Sequence, residues 1–103
     1  MIRVVKVNRQ QNNFTRYMGR TWAGLSESPY HNPFHVGRDG SREEVLLKFI
    51  LYWYAEPQRE LRQRAVREIG PDDVLGCWCH PLTCHCDIIA GYVAWRDAGQ
   101  LWL

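Results

Sequence analysis

The sequence contains no apolar run of the roughly 18 residues that a membrane-spanning helix requires. It also lacks, near its first residue, the basic segment, apolar core and small-residue cleavage site of a secretory signal peptide. Internal repeats and low-complexity segments are absent as well. These absences argue against a membrane-bound or secreted protein, and we expect a cytoplasmic protein that has no membrane partner.

Acidic residues are missing from residues 1–26, although five basic residues lie there: Arg3, Lys6, Arg9, Arg16 and Arg20. A basic edge of this kind could contact a phosphate group or an acidic partner. Solvated arginines beside a strand explain the pattern equally well. The formal net charge of the whole chain is only +2, so the composition does not indicate nucleic acid as a partner.

Cysteine occurs only within residues 77–86, at Cys77, Cys79, Cys84 and Cys86. The cysteines of a disulfide framework are usually spread along the chain, and a protein without a secretion signal is expected to keep its thiols reduced. Closely packed thiolates repel one another unless a positive charge lies among them. A bound metal ion is a common source of that charge, so the sequence predicts a metal site here.

Hydrophobic patterning predicts an α/β fold in a single domain of residues 1–103, a length that allows one modest core. Strands are predicted where β-branched or apolar residues cluster, at 2–7, 15–18 and 74–78. Helices are predicted at 41–57, 58–68 and 84–97. The expected architecture is a short central sheet flanked by three helices, with the cysteine loop at a strand-to-helix junction.

Local signals predict how the first and third helices begin and end. Ser41 and Glu44 have the spacing of a capping box, and Pro57 should stop the first helix. Thr83 is the expected N-cap of the third helix, which should direct Trp95 into the core. The apolar residues 101–103 at the end of the sequence should dock back on the domain or contact another chain.

Residues 21–39 show no periodicity and are rich in proline, glycine and aromatic residues, which predicts a long, structured loop. The proline after Asn32 favours an extended backbone there, so Asn32 and Phe34 could form one wall of a pocket. Alternatively, Phe34 and Trp22 pack beneath the loop and fix it. We expect His31 and His35 to form hydrogen bonds within the loop.

The cysteine segment predicts a crevice, because strand ends and the following helix starts converge on one side of an open α/β sheet. The amides at the helix start favour the thiolate form of Cys84, and Asp87 could orient His85 or accept a proton. The predicted catalytic group is Cys84, His85 and Asp87. The predicted metal ligands are Cys77, Cys79, Cys84, His85 and Cys86.

The spacing of the cysteines does not identify the metal, because it differs from the paired C-x2-C knuckles of familiar zinc sites. Zinc is the first expectation, and an iron-sulfur cluster would also be served by four clustered thiolates. A third alternative is a metal-free thiol enzyme, in which Cys84 or Cys79 is the nucleophile and a neighbouring histidine is the base.

Several motifs resemble a family of bacterial and phage proteins known only as domain of unknown function four-three-two-six. They are Tyr-Met-Gly-Arg at 17–20, Asn-Pro-Phe at 32–34, Gly-x-Asp-Gly-Ser-Arg-Glu at 37–43 and Leu-Gly-Cys-Trp-Cys-x-Pro-x-x-Cys-His-x-Asp-Ile-Ile at 75–89. The likeness runs in order over roughly residues 3–95. Where the family pattern usually has glycine, this chain has Cys86, so the resemblance ranks Cys86 behind the other ligands.

The resemblance implies a compact α/β domain in which the segments around Tyr17, Arg20, Asn32 and Phe34 approach the cysteine loop. We therefore expect these four residues to bind a small anionic or nucleotide-like ligand, which the cysteine crevice binds or processes. An alternative is a phage-type adaptor that binds a host protein in the host cytoplasm through its tryptophans and residues 101–103, with a merely structural cysteine site.

Overall fold

The computed structural model describes residues 2–8, 13–22, 24–80 and 82–97. Its strands are β1 (Arg3–Lys6), β2 (Arg16–Tyr17) and β3 (Val74–Cys77), and its helices are α1 (Arg42–Tyr54), α2 (Arg59–Glu68) and α3 (His85–Asp97). A short 3-10 helix, Glu56–Gln58, joins α1 to α2. The predicted small α/β fold is therefore confirmed. The predictions for residues 101–103 fall outside the described residues.

The three strands form one parallel sheet in the order β1-β3-β2. All four residues of β3 are buried, as expected for a central strand with neighbours on both sides. The register pairs Lys6 with Cys77 on one side and Tyr17 with Gly76 on the other. Since the strands are parallel, Cys77 and Tyr17 reach the same edge of the sheet, and the cysteine segment begins there.

Helix α1 begins with the predicted capping box. The Glu44 N–H donates to the Ser41 hydroxyl (3.2 Å), and the Ser41 N–H donates to the Glu44 carboxylate (3.1 Å). Its apolar stripe buries Val45, Phe49 and Trp53 in the core. The helix ends at Tyr54, three residues before Pro57, because proline has no N–H to donate to the Trp53 carbonyl oxygen and its ring would clash with that carbonyl.

Helix α3 corrects two predictions. It begins at His85, so Cys84 rather than Thr83 precedes it, and the Cys84 N–H donates to the Asp87 carboxylate (2.9 Å). Trp95 is 37% exposed. The buried face instead contains Cys86, Ile89 and Val93. At about 3.6 residues per turn, Trp95 lies on the side of the helix opposite Val93.

Residues 21–22 and 24–39 lie in the predicted structured loop, in which the only described pairing of strand type is an isolated bridge between Trp22 and Leu25. The core beneath this loop and the helices includes Met18, Tyr30, Phe49 and Trp53. The loop therefore packs against the same core as the sheet and the helices.

Among the described residues, no helix is both long and apolar enough to span a membrane.

Candidate functional site

Three buried cysteines meet where β3 ends and α3 begins. Cys77 is the last residue of β3, and Cys84 and Cys86 lie on either side of the first residue of α3. Their Sγ atoms all lie within 4.8 Å of one another, and those of Cys77 and Cys84 are 3.3 Å apart. We call Cys77, Cys84 and Cys86 the cysteine trio. A buried group of three sulfur atoms is suited to hold a metal ion.

Hydrogen bonds within the trio distribute its protons unevenly. The Cys84 thiol donates to Cys77, and this bond, assisted by Cys86, lowers the pKa of Cys77 far below its usual value. Hydrogen bonds with Cys77 and Cys79 raise the pKa of Cys84, contrary to the predicted thiolate at the helix start, and burial raises the pKa of Cys86. These bonds make Cys77 the most acidic of the three thiols. A cation would displace the thiol protons, as metal binding to thiols generally does.

Cys79 lies beside the trio but is not part of it. Its Sγ is not within 4.8 Å of all three trio atoms, although it exchanges a hydrogen bond with Cys84. Cys79 is only partly buried, and the guanidinium of Arg42 lies close to its thiol. Its hydrogen bond with Cys84, together with Arg42, lowers the pKa of Cys79 to about 6 against the opposing effect of burial. Cys79 is thus the thiol with the most polar surroundings.

His85, a predicted metal ligand and catalytic residue, is tied to the backbone after β2. Its Nε2 lies 2.8 Å from the carbonyl oxygen of Met18, and since a carbonyl can only accept, Nε2 carries the proton. Burial lowers the pKa of His85, which keeps the ring neutral. The ring also packs edge to face against Phe49. Its Nε2 is therefore engaged as a donor, and the ring anchors α3 to the segment after β2.

Asp87, the third predicted catalytic residue, contacts the backbone of Cys84. Its carboxylate accepts the Cys84 N–H at the start of α3. It lines a separate groove between α1 and α3, together with Ile50 and Tyr92. Asp87 therefore stabilises the helix start that places Cys84, and the structure does not bring it to the cavity described next.

A cavity of about 490 Å³ opens beside the cysteines. It is lined by all four predicted ligand-binding residues, Tyr17, Arg20, Asn32 and Phe34, and by Cys77, Cys79, Cys84 and His85. Cys86 is not among the lining residues. The structure thus brings the segments named by the family motifs to one site, with sulfur atoms on one wall.

Arg20 holds the loop wall of the cavity in place. Its Nη2 donates to the carbonyl oxygens of Asn32 (3.0 Å) and Phe34 (2.7 Å), and Nε donates to that of Asn32. The Asn32 side chain in turn accepts the Phe34 N–H (2.9 Å). The Phe34 ring packs edge to face on Tyr52. Phe34 therefore both fixes the loop and lines the cavity, while Nη1 of Arg20 is not used in these bonds.

Aromatic side chains form the rim of the cavity. The Trp78 indole N–H donates to the Tyr17 hydroxyl (2.9 Å), and the Tyr17 hydroxyl donates to the Arg20 carbonyl oxygen. Trp22 and Trp78 pack edge to face with ring centroids 5.8 Å apart, and both are substantially exposed, at 44% and 37%. This rim offers apolar ring surface next to solvent, where a planar ligand group can stack.

Sequence reasoning missed some of the lining residues, most notably Arg42, His35 and Trp78. Arg42 follows the capping serine and belongs to the motif at 37–43, so its position after a helix start was a usable signal. His31 bonds the Ser28 carbonyl oxygen through Nδ1 (2.7 Å), as expected for a loop histidine. His35 also bonds within the loop, since its backbone N–H donates to the Asp39 carboxylate (2.8 Å). His35 lines the cavity as well, and burial and then Arg20 lower its pKa.

The sequence profile of one protein family, described as Domain of unknown function (DUF4326), matches residues 2–95. This range includes every described strand and all but the last two residues of α3. No curated protein and no solved structure matches the chain. The family match spans the cavity and the cysteine trio alike, and the chain therefore belongs to the DUF4326 family.

Proposed function

We propose that this protein is a metal-containing binding domain whose cavity takes a small anionic ligand with a planar aromatic part, such as a nucleotide. The observation that carries this proposal is the composition of the cavity lining. It includes Arg20 and Arg42, aromatic rings at the rim and cysteines on one wall, and the described lining contains no carboxylate.

The charge of the lining favours an anion. Two guanidinium groups border a partly enclosed space, where their attraction for an anion is less screened than on an open surface. The lowered pKa of His35 keeps that ring neutral near pH 7, so it offers a hydrogen bond without further charge. An anionic ligand therefore has charge partners in the cavity and no acidic group opposing it there.

The size and rim of the cavity fit a nucleotide. A volume of about 490 Å³ lies within the roughly 300–1,000 Å³ of typical small-molecule sites. Trp22 and Trp78 supply ring surface of the kind on which nucleobases stack. Inorganic phosphate alone would satisfy the arginines but would leave the aromatic rim unused.

The spacing of the trio favours a single ion such as zinc over an iron-sulfur cluster. Zinc binds thiolates at about 2.3 Å in a tetrahedron, which separates neighbouring sulfur atoms by about 3.8 Å. The trio distances, from 3.3 Å to at most 4.8 Å, bracket that value. A cluster inserts several metal and sulfide ions between its thiolates and needs wider separations.

Isothermal titration calorimetry with AMP, ADP, GMP and inorganic phosphate tests the ligand class. We expect the nucleotides to bind more tightly than phosphate, and Arg42→Gln to weaken nucleotide binding about tenfold or more, because it removes a charged partner. Arg67→Gln, at an exposed position of α2, is the matched control and should leave binding unchanged. Equal affinities for both variants, or no binding by any of the four compounds, would contradict the proposal.

A further inference from the structure

We infer that the cysteine trio leaves the fourth coordination position of its metal ion open toward the cavity, and that a phosphate oxygen of the cavity ligand occupies this position. The inference rests on the proposed function and goes beyond it, because it makes the metal part of the ligand site. A closed structural site would have four protein ligands, whereas zinc sites that bind substrates have three and an open position.

The direction of the open position follows from where the trio residues lie. Cys77 and Cys84 line the cavity, whereas Cys86 is fully buried in the core and does not line it. An ion held by the three sulfur atoms therefore has Cys86 on its core side and the cavity on the side of the other two. The fourth direction of a tetrahedron is then available to a molecule in the cavity.

Among the described residues, no other side chain has a ligating atom within 4.8 Å of all three trio sulfur atoms. Nε2 of His85 donates to the Met18 carbonyl, and the Asp87 carboxylate accepts the Cys84 N–H and lines the groove on the other side of α3. Cys79 lies outside the trio, with Arg42 beside its thiol. Within the described residues, the trio is the one group of three or more metal-ligating side chains with this spacing.

The charges also allow an anion to reach the ion. Three thiolates and one divalent cation together carry a net charge of −1, which by itself would repel a phosphate. Arg20 and Arg42, both lining the same cavity, supply two positive charges that offset this repulsion. An anionic oxygen that coordinates the metal would thus also lie near guanidinium groups that can donate to it.

Cobalt substitution tests the inference, because the visible absorption of Co²⁺ reports both its thiolate ligands and any change in coordination. The full chain is loaded with one equivalent of Co²⁺ and titrated with AMP and, separately, with inorganic phosphate. We expect a saturable change in the cobalt d–d bands with both compounds, at lower concentration for AMP. A change with phosphate alone would identify free phosphate as the source of the coordinating oxygen.

The variants Cys79→Ser and Cys79→Ala decide whether the site is open. We expect both to keep the sulfur-to-cobalt charge-transfer intensity of the unchanged protein, while Cys86→Ser lowers it by about a third. A drop of about a quarter in both Cys79 variants would show four thiolate ligands and overturn the inference. AMP binding in calorimetry without any change in the cobalt spectrum would also overturn it and leave the proposed nucleotide site intact. Failure to bind Co²⁺ would refute both the open position and the proposed metal.

Discussion

At the scale of single residues, Thr15 and Asp73 link the beginnings of β2 and β3. The Thr15 hydroxyl donates to the Asp73 carboxylate (2.6 Å) and accepts the Val74 N–H (2.8 Å), while the Gly70 N–H donates to Asp73 (2.8 Å). The hydrogen bond from Thr15 is the main reason why the pKa of Asp73 is below its usual value. The hydrogen bonds of the folded state therefore stabilise the ionised form of the Asp73 carboxyl group more than its protonated form.

This link predicts a pH-dependent effect of Thr15→Val. We expect the substitution to lower the free energy of unfolding by about 1 kcal/mol at pH 7, the usual net value of one hydrogen bond. A lowered carboxyl pKa stabilises the fold above about pH 4 and loses this contribution as the pH falls through the pKa of the folded state. The difference between the unchanged protein and Thr15→Val should therefore narrow below about pH 4. Urea unfolding of both proteins at several pH values measures this difference in the free energy of unfolding.

Thr83→Val is the matched control, because Thr83 is an exposed threonine. It should change the free energy of unfolding by less than about 0.5 kcal/mol at every pH, as surface substitutions usually do. A gap between Thr15→Val and the unchanged protein that stays constant down to pH 3 would show that Asp73 gains nothing from Thr15.

The cysteine residues show where sequence reasoning reaches its limit at this scale. Spacing located the site, because four thiols in ten positions can hardly avoid one another. The membership of the trio depends on backbone turns instead. Strand β3 ends at Cys77, so strand alternation does not extend to Cys79, and Cys84 precedes α3, so helical spacing does not relate it to Cys86. As a result, the sequence could not show which three cysteines would meet, and Cys86, which the resemblance ranked behind the other ligands, belongs to the trio.

At the scale of the elements, two glycines in β3 and α3 have opposite surroundings. A Cβ on Gly76, in the central strand, would lie 2.7 Å from ring atoms of Phe14. A Cβ on Gly91, in the middle of α3, would have no atom within 4 Å apart from its chain neighbours and the backbone of its own helix. The strand therefore requires glycine for the close approach of an aromatic ring, whereas the helix carries a glycine that lowers its intrinsic stability.

Replacing glycine with alanine at these two positions should change the free energy of unfolding in opposite directions. We expect Gly76→Ala to lower the free energy of unfolding by about 1–3 kcal/mol, as overpacking generally does. Gly91→Ala should raise it by about 0.5–1 kcal/mol, because alanine is the better helix former. Urea unfolding of both variants at one pH measures the contrast.

Adding Phe14→Leu to Gly76→Ala checks the cause of the loss. The smaller side chain should restore part of the stability that Gly76→Ala removes, relative to Phe14→Leu alone, if the two positions collide. Additive effects of the two substitutions would mean that the ring and the new methyl group do not meet.

Local sequence signals predicted where helices and strands lie, but they did not always predict which side of a helix faces the core. The capping box of α1 could be identified from sequence because both of its partners lie within one helical turn. The inward face of α3 could not, because both sides of that helix carry large apolar residues, and its packing against α1, α2 and the sheet selects Ile89 and Val93 over Trp95. Tertiary packing thus decides between two faces that the sequence leaves nearly equivalent.

At the scale of the whole molecule, the cavity arises from contacts between segments far apart in the chain. The strand order puts Tyr17 next to β3, and Arg20 fixes the loop at 32–34 against the same opening. Hydrophobic periodicity carries no information on strand order or on which loop covers which sheet edge. Only the family resemblance predicted that these segments lie near the cysteine loop. It could not predict that the Arg20 side chain donates hydrogen bonds to the loop backbone.

The cysteine trio also joins β3 to α3, so metal binding should stabilise the whole fold. An ion that binds only the folded chain, at 100 times its dissociation constant, adds about 2.7 kcal/mol to the free energy of unfolding. For a domain of about 100 residues, this corresponds to an increase in Tm of roughly 10–20 °C. We expect this increase when Zn²⁺ is added under a non-chelating reductant, and its reversal by EDTA. Differential scanning calorimetry measures both.

The zinc-induced increase in Tm, rather than Tm itself, should be compared between variants, because any cysteine substitution in this core alters stability by itself. Cys86→Ser should abolish most of the increase, since it removes one of three ligands that hold the ion between strand and helix. Cys79→Ser should retain the increase, because Cys79 lies beside the trio and not within it. An equal loss in both variants would indicate that loading draws Cys79 into the site, and an unchanged increase in Cys86→Ser would place the ion elsewhere in the molecule.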